Sequence, residues 1–202
     1  MEFILTESEF NEDNTAWNGN RFLMGNGYFG IRGTLEEYTK KQMCAVNMAG
    51  IYDKMGNSWR ESVNAPNPLY TYIKVNGKIY ALPDEKPKFH QQELDFRYGI
   101  HSRVTHWQTE HGNITVVCER FASIARQHNI AMKYTFSVDF DCEAEIITGI
   151  DGDVWDINGP HFVKMKIGSK DGADYVTGMT GEKNISVTVK EYIRTDFQAE
   201  QT

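Results

Sequence analysis

Three stretches of this chain hold residue types at spacings that chemistry uses. The first is MGNGYFGIRG, residues 24–33, in which Gly25, Gly27 and Gly30 spell G-x-G-x-x-G. Such a loop cradles the phosphates of a dinucleotide or ATP when a strand enters it and a helix leaves it. The second is DGDVWDINGPH, residues 151–161, where Asp151, Asp153 and Asp156 crowd a turn in the manner of a calcium loop. The third is His101, His106 and His111, spaced by five, whose imidazoles would bind a metal if they converged. Whether any of these works depends on the elements that position it.

Those elements read as strands. From residue 69 onward the apolar pattern has period two more often than 3.6, and β-branched and aromatic residues crowd between turn signals. In YTYIKVNGKIYAL, Asn76-Gly77 supplies the positive φ angles of a two-residue type I′ hairpin. RVTHWQT, ITVVCERF, IAMKYTFSV and AEIITGI follow as strands, with a turn from Glu110 to Asn113; then come FVKMKIG and DYVTGM around the turn SKDG, and finally ISVTVKEYI. The expected fold is all-β, a large antiparallel β-sandwich with at most one or two short helices. Only TLEEYTKKQM, residues 34–43, has the composition of a helix.

Set in these elements, none of the three stretches holds its ligand. The segment before the glycines, NEDNTAWNGNR, is polar and turn-rich, and Gly33 falls where a helix should begin, costing about 1 kcal/mol relative to Ala. A kinase cradle wants Val where Arg32 stands, and no V-A-I-K, H-R-D or D-F-G follows. The glycines are expected to form a tight loop where backbone segments approach closely. The calcium template fails at Trp155, at Asp156 in place of Gly and at Phe162 in place of Glu. A spacing of five puts successive histidines on opposite faces of a strand, so they read as partly exposed strand residues. Asp139, Asp141 and Glu143 share one solvated face. No metal or cofactor is called for.

At 202 residues the chain can bury roughly 70% of its unfolded surface without a metal or disulfide staple. A net charge of -7, with no basic run longer than Lys40-Lys41, argues against nucleic acid as a partner. Cys44, Cys118 and Cys142 form no C-x-x-C pair and are expected to be reduced core residues. The N-terminal apolar run, Phe3 to Leu5, is too short for a signal peptide or membrane span, so the expected location is cytoplasmic. On that basis the sequons at Asn113 and Asn184 are chance matches.

Several ordered segments together resemble the N-terminal domain of glycoside hydrolase family 65, which comprises maltose, trehalose, kojibiose and nigerose phosphorylases and related hydrolases. They are FLMGNGYFGIRGTLEE (22–37), AGIYDK (49–54), NAPNPL (64–69), ELDFRYGIHSRVTHW (93–107), ERFAS (119–123) and GIDGDVWDINGPH (149–161). The resemblance implies a supersandwich of the galactose-mutarotase kind, residues 1–202 forming this domain with its C-terminal part missing. It also implies a separate catalytic (α/α) barrel, absent from this chain, that carries the catalytic acid and the phosphate site.

The implied reaction is inverting phosphorolysis of an α-glucosidic disaccharide, such as maltose, to β-glucose 1-phosphate and a sugar. Inorganic phosphate is then the co-substrate and nucleophile, so no second carboxylate is required beyond the general acid. No catalytic residue is expected here. The domain's expected roles are to shape the mouth of the barrel and to help form a homodimer; one alternative is the same domain of a family 65 hydrolase acting on trehalose or a similar sugar, and a free-standing carbohydrate-binding module is the alternative from another class. Trp59, Trp107 and Trp155 are available for sugar stacking, although such residues more often fill cores and interfaces. The irregular loops at Asn26, Tyr28 and Arg32, at Asn64 and Asn67, and at Asp151 and His161 are the expected substrate-facing or interdomain-facing positions.

Overall fold

The computed structural model describes residues 3–197. Among these residues the chain forms one short α-helix, α1 (Thr15–Arg21), and fifteen strands. Strand β1 (Ile4–Glu7) precedes the helix, and β2 (Met24–Gly25), β3 (Phe29–Ile31), β4 (Val46–Asp53) and β5 (Glu61–Asn64) follow it. Then come β6 (Asn67–Val75), β7 (Lys78–Tyr80), β8 (Phe89–Asp95), β9 (Ile100–Gln108), β10 (Asn113–Ala122) and β11 (Ile130–Val138). The last four are β12 (Ala144–Asp151), β13 (Phe162–Lys170), β14 (Ala173–Thr180) and β15 (Ser186–Glu191). Every pairing among them is antiparallel, in sheets ordered β1-β8-β9-β10-β11, β2-β3-β4-β5, β12-β6-β7 and β13-β14-β15.

Turn chemistry sets the registers. Asn76 and Gly77, at φ 49° and 76°, close the β6–β7 hairpin with Val75 opposite Lys78. Asp171 and Gly172, at 57° and 72°, repeat the device between β13 and β14. Both conformations are the left-handed ones that a type I′ turn requires. Alternation then fills the sandwich: Trp107 of β9 and Ile114 and Val116 of β10 meet Ile73 and Val75 of β6 and Tyr80 of β7. A second, separate cluster, Met24, Ile31, Val46 and Leu69, packs the four-stranded sheet and β6 against partly buried Ala122, Ile130 and Met132 of β10 and β11.

The candidate helix at 34–43 does not form. Only Lys40–Gln42 winds into a single 3₁₀ turn, closed by the Thr39 and Gln42 side chains, whereas α1 arises in the segment read as polar and turn-rich. The reason is charge. Arg103 on β9 and Arg120 on β10 point into the sandwich, each 1% exposed, and both call for carboxylates. Arg103 Nε donates to Glu36 at 2.7 Å and its Nη2 to Glu37 at 2.6 Å, while Arg120 Nη1 donates to Glu36 at 2.9 Å. Consecutive residues of an α-helix diverge by about 100°, so an irregular backbone is what lets both glutamates reach one guanidinium.

Burial alone would raise the Glu36 carboxyl, but Arg103 and Arg120 outweigh it and hold the group at about 2. The stability this adds is complete above the ordinary value of 4.5 and is lost as the pH falls through about 2. Glu37 is pushed the other way, first by burial and then by the neighbouring Glu36 charge against the pull of Arg103.

Two histidines border this network. His90 is pushed down to about 4 by burial and by Arg103. His101 falls well below its ordinary value by burial and by Arg120, and packs edge-on to Phe22 at 5.7 Å. The expectation of partly exposed histidines is therefore wrong for His101, which is fully buried because it shares the inward phase of Arg103 and Trp107.

Replacing Arg103 by Met leaves two buried carboxylates without their main partner. The expected cost is about 3–5 kcal/mol in urea unfolding, and Arg103→Lys, which cannot fork between Glu36 and Glu37, falls between Met and the native residue. A loss under about 0.5 kcal/mol for Arg103→Met, the range of ordinary surface changes, would show that the network does not hold the sandwich together.

Candidate functional site

The glycine stretch is the tip and flank of the β2–β3 hairpin, with Met24 opposite Ile31 and Gly25 opposite Gly30. Gly27 sits at φ 86°, a conformation that favours glycine. A Cβ at Gly25 would lie 2.7 Å from the Phe29 carbonyl oxygen, and one at Gly33 would overlap the Phe22 side chain and backbone. Close backbone approach thus explains Gly25 and Gly33, while Gly30 has open space and is not explained by it.

The hairpin's polar residues are spent on its own shape. Asn26 Oδ1 accepts from the N–H groups of Tyr28 (3.0 Å) and Phe29 (2.8 Å). Its Nδ2 donates to the carbonyls of Ser123 (2.7 Å) and Gln127 (3.0 Å), tying the tip to the loop after β10. Tyr28 stacks on His128 at 4.2 Å and 15°. Arg32 turns away from the tip: its guanidinium packs against Gly19 and donates to the Ala16 carbonyl at 2.8 Å, pinning α1 to the end of β3.

The remaining predicted positions are brought together on the other flank. β4 and β5 form a hairpin in which Asn47 faces Asn64 and Asp53 faces Glu61. Asn67, opening β6, lies opposite Asp151 at the end of β12. From there the loop 152–161 crosses back to β5. Asn64 donates its side-chain N–H to the Trp155 carbonyl and its backbone N–H to Asp156 at 3.2 Å, and accepts from Asn47 Nδ2 at 2.8 Å. Asn67 instead caps its own strand, accepting from the Leu69 N–H at 3.1 Å, and Asp151 accepts from the Asp153 N–H at 2.9 Å.

His161 ends the loop, 1% exposed, with both ring nitrogens against carboxylates: Nε2 is 2.6 Å from Glu61 and Nδ1 is 3.2 Å from Asp53. Glu61, Asp156 and His161 place a donor atom each within 4.8 Å of one another. Both imidazole nitrogens bear on carboxylate oxygens, an arrangement suited to holding protons between them. Beside it an open groove of about 490 Å³ is lined by Asp53, Lys54, Met55, His161, Val163 and Glu182. Trp59, 64% exposed, lies in the loop between Asp53 and Glu61, whereas Trp107 is core and donates its indole N–H to the Glu85 carbonyl at 2.9 Å.

The description "Glycosyl hydrolase family 65, N-terminal domain" matches residues 5–202. The chain belongs to this family. It is 51% identical over 166 residues to nigerose phosphorylase of Lachnoclostridium phytofermentans, covering 82% of this chain and 22% of that one. It is 36% identical over 184 residues to 1,2-alpha-glucosylglycerol phosphorylase of Bacillus selenitireducens, covering 91% and 24%. A solved human-microbiome protein, assigned as a kojibiose phosphorylase, shares the fold at a TM-score of 0.85 with 20% identity, over 98% of this chain and 29% of the other. The family 65 domain described here thus spans about a quarter of the length of the curated relatives it matches.

Sequence reasoning had named His161, Asn64 and Asp151 in this family 65 domain, but not Asp53 or Glu61. Asp53 is 1% and Glu61 8% exposed, and they face each other across two strands. The signal was weak, because only the pairing of β4 with β5 makes neighbours of residues eight apart.

Asn26→Ala removes four hydrogen bonds at once, two of them to the loop after β10. A loss of about 1–3 kcal/mol is expected in thermal or urea unfolding, with faster amide exchange at residues 123–128. Unchanged exchange there would show that Asn26 does not hold that loop.

Proposed function

We propose that this chain is the non-catalytic β-sandwich domain of an α-glucoside phosphorylase. The parent enzyme would cleave an α-linked glucose disaccharide with inorganic phosphate, inverting the anomeric centre to give β-glucose 1-phosphate and a free sugar. The observation that carries this reading is the family match over residues 5–202, together with relatives that are named phosphorylases across several α-glucosides. Since the relative at 51% identity is named a nigerose phosphorylase, nigerose is the first substrate to test.

Catalysis would lie in an (α/α) barrel outside this chain, against which the sandwich packs and whose mouth its loops shape. Inverting phosphorolysis needs one carboxylic acid on the leaving oxygen, with phosphate as the nucleophile. The carboxylates of the His161 flank are committed elsewhere: Asp53 and Glu61 accept hydrogen bonds from neighbouring loops and face His161, and Asp156 accepts from the Asn64 N–H of β5. Homodimerisation is part of the same proposal. So is a cytoplasmic setting, which three free cysteines, Cys44, Cys118 and Cys142, suit.

The full-length parent enzyme, given nigerose, kojibiose, maltose or trehalose, is expected to release β-glucose 1-phosphate only when phosphate is present, read by ³¹P NMR. The 202-residue chain alone is expected to turn over none of them. Phosphate-independent release of glucose would assign the parent as a hydrolase, and turnover by the isolated chain would end the non-catalytic reading. If the glycine hairpin borders the barrel's mouth, Tyr28→Ala raises KM in the parent enzyme. Unchanged kcat and KM would remove the hairpin from that role.

A further inference from the structure

Asp53 and Glu61 stand directly opposite each other across β4 and β5, and both are buried. Like charges in that relation destabilise a strand pair unless something stands between them. Here His161 does, reaching in from the end of the loop 152–161.

The hydrogen bonds decide where the protons sit. Asp53 Oδ1 accepts from the Glu182 N–H at 2.9 Å, and its Oδ2 accepts from the Gly181 N–H at 3.3 Å as well as facing His161. Glu61 Oε1 accepts from the Asn158 N–H at 2.7 Å and faces His161, and its Oε2 accepts from Asn158 Nδ2 at 3.2 Å. Every carboxylate oxygen already receives a backbone or amide donor, which favours the ionised form of both groups, and the proton between Glu61 and His161 then belongs to the more basic imidazole. A neutral imidazole has one N–H and would turn a bare lone pair toward the other carboxylate.

We propose that His161 is an imidazolium clasped between Asp53 and Glu61, and that its second proton is what ties three loops together: 54–60, 152–160 and the turn at Gly181 and Glu182. Losing that proton unfastens the loops that border the groove. The clasp belongs to this domain's own fold and stands whether or not the parent enzyme is a phosphorylase.

The surrounding charges favour the cation. Asp156 approaches from the same loop as His161, and Glu182 lies beyond Asp53, joined to Arg60 by a hydrogen bond of 3.0 Å from Nε. Lys54 is the cation on the groove. Burial disfavours charge on His161, but Glu61, Asp156 and Asp53 together raise it above its ordinary value of 6.5. The sign follows: the stability supplied is complete below pH 6.5 and is lost as the pH rises through the value held in the fold. His90 and His101, buried and beside arginines, are driven the opposite way.

The test is ¹⁵N NMR of the histidine-labelled 202-residue chain, with the His161 signals assigned by their disappearance in His161→Gln. Both ring nitrogens are expected to carry protons at pH 7 and to titrate above 6.5, and Asp53→Asn or Glu61→Gln should move that titration down. Amide protection in 54–60 and 152–160, corrected for intrinsic exchange, should fall by roughly tenfold or more as the pH passes the His161 titration, the worth of one hydrogen bond to a charged group. A single-proton tautomer at pH 7 overturns the proposal, as does loop protection that ignores the titration. If His161→Gln does not fold, the titration of the native chain still decides, with assignment by through-bond correlation.

Discussion

Two guanidinium groups inside a β-sandwich constrain nearly everything around them. Arg103 and Arg120 sit in the inward phase of adjacent central strands, in register with tryptophan, isoleucine and valine. A charge there is tolerable only with partners of opposite sign and good geometry, because its desolvation costs several kcal/mol. The partners are Glu36 and Glu37, carried on a segment with no regular structure of its own. That segment also delivers Leu35 and Tyr38 to the main apolar cluster. The ion network and the hydrophobic core are therefore one assembly, and the network fixes how residues 34–38 lie across the sheet.

The same rule shapes the His161 flank with the opposite sign. In the centre, arginines come first, and burial together with their charge keeps the nearby histidines neutral. At the β4–β5 hairpin, carboxylates come first and a histidine is drawn in to compensate them. A buried imidazole has no fixed role, and its charge follows from whichever neighbours the fold supplies. Both clusters join irregular segments to strands, so charge holds in place what backbone hydrogen bonding cannot. The glycine hairpin reaches a similar end by neutral means, through Asn26 and two backbone carbonyls.

Much of the fold was legible because its signals are local. Asn76-Gly77 and Asp171-Gly172 carry their turn geometry in two residues, and period-two runs such as IAMKYTFSV announce their faces without help from the rest of the chain. The helix at 34–43 misled because residues 34–43 have good helix formers, and propensity is a weak prior where tertiary charge pairing competes. His101 misled because the histidines were read from their mutual spacing of five, whereas its even spacing to Trp107 is what puts it on the buried face. A charged residue in phase with core residues, as Arg103 and Arg120 are, was the visible sign that a buried partner had to exist.

The sequence by itself determined most of the strands from residue 69 onward, their hairpin turns, the tight glycine loop and the family, since these rest on residue type and spacing along the chain. Tertiary structure alone decided that Glu36 and Glu37 meet Arg103, that Asn26 pins a loop near residue 125, and that Asp53, Glu61 and His161 converge. Those partners lie between 66 and 108 residues apart, apart from the Asp53–Glu61 pair, whose meeting depends on a strand register. Pairing of charges and hydrogen-bonding groups over such distances leaves no periodic trace. It is set only when the sheets close and water is excluded, because that is when an unpaired charge becomes too costly to keep.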